Sequence, residues 1–155
     1  MQADLTRGNM YFELGQYERT IQDYDEAIIF DSEYATAYSN RGLAYLHLHQ
    51  YQLAIENYSE SIRLYSHDAT GGSSLSVLGI GVNHRQIYVD AYNNRGVAYG
   101  MLGEYERAIQ DYDEAIRLDP EYANAYYNRG IAYGNLGQQE LADRDFARAK
   151  SLGVE

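Results

Sequence analysis

The sequence contains no cysteine, no tryptophan and a single proline. Lack of cysteine excludes a disulfide framework and a thiol nucleophile, although it says nothing of the compartment. No stretch approaches the roughly 20 apolar residues of a membrane-spanning helix, and no apolar run follows Met1 as a secretory leader requires. The expectation is a cytoplasmic protein with no membrane partner. Cations are scarce as well: 12 Lys and Arg face 23 Asp and Glu, a net charge of −11. A nucleic-acid partner is therefore not expected, because phosphate contacts need clustered basic side chains. Catalytic phrases are missing too. Gly79-Ile80-Gly81 lacks the third glycine of a dinucleotide motif and the Gly-Lys-Ser/Thr of a phosphate loop. No serine stands in a nucleophile elbow. Of the histidines His47, His49, His67 and His84, the first two would diverge by about 200° on a helix and cannot share a metal. Neither an enzyme nor a metal or other cofactor is expected.

What the chain has is tyrosine, 18 residues against 3 phenylalanines, in a pattern that recurs. From Val89 to Tyr122, Ala91, Tyr92, Ala98, Tyr99, Met101 and Leu102 fall at helical spacing until Gly103. A second stripe follows at Tyr105, Ala108, Ile109, Tyr112, Ala115 and Ile116 and stops at Asp119-Pro120, where proline withdraws a backbone donor. The spacing predicts two antiparallel helices closed around small residues. The same 34-residue frame returns at residues 1–34, 35–68 and 123–155, with 69–88 left over as an insertion. One domain spanning 1–155 is expected. In repeat 2, His49 stands at the turn glycine and Tyr65-Ser66 at the Asp-Pro stop.

These anchors, with the phrases Asn94-Arg95-Gly96 and Ala108 to Ile116, resemble the tetratricopeptide repeat family and most of all its bacterial arrays. The resemblance implies an all-α, right-handed superhelical solenoid of four helix-turn-helix repeats, and a protein-interaction scaffold that binds an extended peptide or partner segment in a concave groove. It also implies that the first helix of each pair lines that groove. Asn40, Asn94 and Asn128 share one register there and resemble an asparagine ladder whose amides bond a peptide backbone. Asn9, Leu43, Val97 and Ile131 lie one turn on, and His47, Met101 and Tyr127 belong to the same face. A chaperone-type carboxylate clamp is not expected: Asn9 and Asn40 match its asparagines, but Leu5, Asp90 and Asn94 stand where it has Lys or Arg.

The insertion is Gly/Ser-rich up to Ser74, after which Leu75, Val77, Leu78, Ile80 and Val82 mark a short strand-like run. The alternative expectation is a self-assembly module that uses this run and uncapped ends to form homo-oligomers or domain swaps. Loop closure does not forbid such an insertion, since growing a connection from about four to about 24 residues costs only ~1.6 kcal/mol. The carboxylate pairs Asp23/Asp25 and Asp111/Asp113 read as solvated charges rather than acid–base machinery. The seventh residue of each repeat is Arg7, Arg41, Arg95 or Arg129, and ion pairs with Asp23, Asp111 and Asp145 are expected in repeats 1, 3 and 4; repeat 2 has Asn57 instead. Leu141, Ala142, Phe146 and Ala149 are expected to be partly exposed at the end of the array.

Overall fold

Helix-turn-helix pairs follow one another in a computed structural model that describes residues 2–69 and 83–154, with side chains described for 6–66 and 85–154. Among the described residues there are eight α-helices and no strand. They group into two compact units, Met1–Ile87 and Tyr88–Glu155. The first holds α1 (Gln2–Glu13), α2 (Tyr17–Phe30), α3 (Ala35–His47) and α4 (Tyr51–Ala69). The second holds α5 (Asn83–Met101) from Tyr88 onward, α6 (Tyr105–Leu118), α7 (Ala123–Asn135) and α8 (Gln139–Ser151). Helix α4 runs to Ala69 because no Asp-Pro stop follows it, and residues 83–88, counted with the insertion, are helical. Residues 70–82 lie outside the described residues.

Each turn inside a pair has one chemistry. Gly15, Gly103 and Gly137 carry φ of 68°, 77° and 73°. Their N–H groups bond three residues back while the next N–H reaches five residues back, as in Gln16 N to Tyr11 O at 2.8 Å and Gln138 N to Tyr133 O at 2.9 Å. This Schellman closure satisfies the orphan carbonyls of the first helix. His49 performs it in repeat 2 with φ of 59°, a conformation that costs a residue with a Cβ about 1–2 kcal/mol. Between repeats, Asp31 and Asp119 end α2 and α6 in extended conformation, and their side chains accept from Glu33 N and Glu121 N at 3.0 Å. Aspartate thus supplies the stop at both sites, with or without proline after it.

The core is built of tyrosine rings laid on glycines. A Cβ on Gly96 would lie 2.7 Å from the Tyr112 ring and one on Gly130 would lie 2.8 Å from Phe146, so no other residue permits this approach. Gly8 and Gly42 meet Tyr24 and Tyr58 in the same way, at 3.3 and 3.2 Å. Around these rings Ala27, Ala37, Ala54, Ala108 and Ala115 are fully or almost fully buried. Ser61, where the other repeats have alanine, donates to Ala35 O at 2.9 Å and so satisfies its buried hydroxyl. At the end of α8, Leu141 is exposed as expected, but Ala142 and Ala149 are buried, because α7 already covers that stripe.

Arginine at the seventh position is explained by two rings and two acids. Arg95 lies over Tyr92 and Tyr99 at 5.4 and 6.0 Å, and Arg129 over Tyr126 and Tyr133 at 5.5 and 5.8 Å. The expected interhelical pairs form, and each is bidentate: Arg7 with Asp23, Arg95 with Asp111 and Arg129 with Asp145, at 2.7–2.8 Å. Arg41 instead donates to Asn57 Oδ1 at 2.7 Å. The solvated reading of the aspartate pairs is corrected. Asp23 and Asp111 are only 5% exposed, and Asp25 and Asp113 receive Arg41 and Arg129 from the following repeat. One helix wheel cannot show this, because the cation arrives from a different repeat.

Candidate functional site

Helices α1 and α3 place their polar face through a tyrosine. The Tyr24 hydroxyl, on a side chain that is almost wholly buried, donates to Asn9 Oδ1, and Asn40 Nδ2 makes a long 3.5 Å contact to the same oxygen. Burial pushes the Tyr24 pKa up to about 12, with the facing Asn40 amide opposing the rise. Asn9 and Asn40 are thereby held side by side at the surface. Leu43 is half-buried one turn along. His47 stacks on Tyr17 with ring centroids 4.8 Å apart and meets the edge of Phe12 at 5.2 Å, which leaves an exposed aromatic cluster beside the amides.

Unit 2 builds an equivalent face from α5 and α7 with different parts. Asn128 Nδ2 donates to Asn93 Oδ1 at 3.0 Å, and Asn93 Nδ2 donates to Asn94 Oδ1 at 3.1 Å. Asn93, 5% exposed, is the residue that sequence reasoning missed. It stands one position before the ladder register, and only its packing shows that it links the two repeats. One turn on, Val97 is half-buried, while Met101, Tyr127 and Ile131 are 57%, 41% and 43% exposed. Tyr127 also rests against Phe146 at 5.6 Å. At the other end of the face Tyr122 donates to Asp90 Oδ1 at 2.8 Å; its pKa is raised by burial first and by the Asp90 charge second.

The expected site residues therefore form two sets, Asn9, Asn40, Leu43 and His47 in unit 1 and Asn94, Val97, Met101, Tyr127, Asn128 and Ile131 in unit 2. The self-association residues Leu75, Val77, Leu78, Ile80 and Val82 lie outside the described residues. Both sets offer amides, hydroxyls and apolar surface. Among the described residues no three His, Asp or Glu side chains converge to hold a metal ion, and no helix is long and apolar enough to cross a membrane. Asn9 Nδ2, Asn94 Nδ2 and Asn128 Oδ1 have no hydrogen-bond partner among the described residues. Each network thus ends in an amide group that can bond a peptide backbone.

Family profiles agree on the repeat. One described as TPR repeat matches residues 8–49 and 101–137, and two described as tetratricopeptide repeats match 35–68 and 123–152. The chain belongs to the tetratricopeptide repeat family. No functionally curated relative matches this tetratricopeptide protein. Among solved structures it is similar to MamA, with a TM-score of 0.79 and 26% identity over 97% of this chain and 77% of that one. It is also similar to the second tetratricopeptide domain of human RPAP3 in complex with the HSP70 peptide SGPTIEEVD, with a TM-score of 0.67 and 27% identity over 83% and 91% of the two chains. The first such domain of Spaghetti (RPAP3), bound to the HSP90 peptide SRMEEVD, shares the fold with a TM-score of 0.72 and 24% identity over 88% and 92%.

Proposed function

We propose that this tetratricopeptide protein is a non-catalytic interaction scaffold whose first helices hold an extended peptide or partner segment by its backbone. The observation that carries the reading is the pair of asparagine networks. In each unit, amides from adjacent repeats are positioned by a tyrosine hydroxyl or by another amide, and outward donors or acceptors remain. A peptide backbone needs one donor and one acceptor from each such amide, and a fixed amide loses little side-chain freedom on binding. The similarity to an RPAP3 domain that holds an HSP70 peptide supports peptide binding as the use of this fold.

The test compares proteins captured by the wild-type chain with those captured by an Asn40→Ala/Asn94→Ala/Asn128→Ala variant. Loss of the captured set in the variant supports the reading. An identical set means that binding lies elsewhere and the reading fails.

A further inference from the structure

Glycine inside a helix is destabilising by about 1 kcal/mol relative to alanine, and four helical glycines of this chain have a packing reason in the rings they meet. Two do not. A Cβ on Gly134 would meet nothing within 4 Å, and one on Gly100 would meet only the Tyr112 hydroxyl at 3.8 Å, an ordinary contact. Both lie in helices with every neighbour helical, Gly100 half-exposed and Gly134 exposed. They occupy equivalent positions of repeats 3 and 4, where repeats 1 and 2 carry Phe12 and Leu46. Each also sits three residues beyond Val97 or Ile131, on the face that the Asn93–Asn128 bond brings together.

The surroundings of these glycines define what they admit. Met101 and Ile131 expose apolar surface beside them, Asn94 and Asn128 expose amides, and Arg95 and Arg129 are turned away onto Asp111 and Asp145. No cation among the described residues of α5 from Tyr88 or of α7 faces outward here, and the whole chain carries a charge of −11. A carboxylate-bearing segment would enter against that charge with no cation to receive it, whereas an uncharged apolar segment meets matching surface.

We propose that Gly100 and Gly134 form a notch in the α5–α7 face that admits a bulky apolar side chain of an uncharged, extended partner segment. This rests on the scaffold reading and adds the partner's chemistry to it. The asparagine amides hold the segment's backbone, and the glycines leave bare helix surface where one large side chain seats between Met101 and Ile131.

Displayed random nonapeptides selected on the full chain, followed by titration of one enriched peptide, test the proposal. Enriched sequences should be poor in Asp and Glu and carry Leu, Phe or Met at one position. Gly100→Leu/Gly134→Leu, which fills the notch, should weaken the chosen peptide at least tenfold without lowering the melting temperature. Enrichment of acidic sequences, or unchanged affinity in the leucine variant while Asn128→Ala loses binding, overturns the notch and leaves the scaffold reading standing. Failure to enrich any peptide overturns both.

Discussion

Replacing Arg129 with alanine separates a buried ion pair from a surface one within a single side chain. Its Nε and Nη2 donate to Asp145 at 2.7 and 2.8 Å, and its Nη1 reaches Asp113 of the preceding repeat. The side chains of Arg129 and Asp145 are 18% and 9% exposed, whereas that of Asp113 is 52% exposed. Removing the guanidinium strands the Asp145 carboxylate in the interior, a loss of about 3–5 kcal/mol. Removing Asp113 deletes an exposed partner and costs about 0.2–1 kcal/mol. For a chain of this size each kcal/mol is worth roughly 2–4 °C in melting temperature, so Arg129→Ala should fall by roughly 6–20 °C and Asp113→Ala by no more than about 4 °C. Thermal and urea unfolding followed by far-UV circular dichroism reads both. A third variant, Arg129→Met/Asp145→Leu, should regain most of the loss, since apolar residues can replace a buried pair. Equal losses in the two alanine variants, or a double variant no better than Arg129→Ala, would refute the burial argument.

Glycine offers a pair of opposite outcomes from one substitution. Gly96→Ala drives a methyl onto the Tyr112 ring and should cost about 1–3 kcal/mol, whereas Gly134→Ala enters open space and should gain up to about 1 kcal/mol in the same denaturation assay. His49→Gly relieves a left-handed φ and should stabilise by about 0.5–1 kcal/mol, reduced by loss of the 2.8 Å contact between His49 Nδ1 and the Tyr51 hydroxyl; a lower melting temperature would show that contact to dominate. In alkali, Tyr24 ionises at about 12 when folded against 10.0 when unfolded, so its contribution is complete below pH 10 and is lost as pH climbs through that window. The loss amounts to about 2–3 kcal/mol. With no tryptophan in the chain, tyrosinate absorbance and loss of helix should rise together above pH 10. Full ionisation near pH 10 with helices intact would contradict the burial of that hydroxyl.

The repeat was legible because glycine and tyrosine serve one steric purpose at a fixed spacing: a ring on one helix needs a bare backbone on its partner. The Asp-Pro stop was legible only in part, since Asp31 closes α2 through its own carboxylate without a following proline. Interhelical arginines were readable at a separation of 16 residues, yet the same guanidiniums also cross to Asp25 and Asp113, which a pattern within one repeat cannot show. The ladder register pointed to Asn40, Asn94 and Asn128. Asn93 escaped notice because its neighbour already filled that register, and only the 3.0 Å bond to Asn128 reveals that it joins two repeats. Gly100 and Gly134 read as ordinary small residues until the empty space above them was visible.

The central claim is that the fixed amides hold a partner's backbone, and one titration tests it most directly. Affinity for a captured partner segment is measured by calorimetry with wild type and with Asn40→Ala/Asn94→Ala/Asn128→Ala, alongside both melting temperatures. Three lost amide contacts at about 1 kcal/mol each predict a weakening of roughly 100-fold in a variant that still folds. Equal affinity in a folded triple variant would contradict the account.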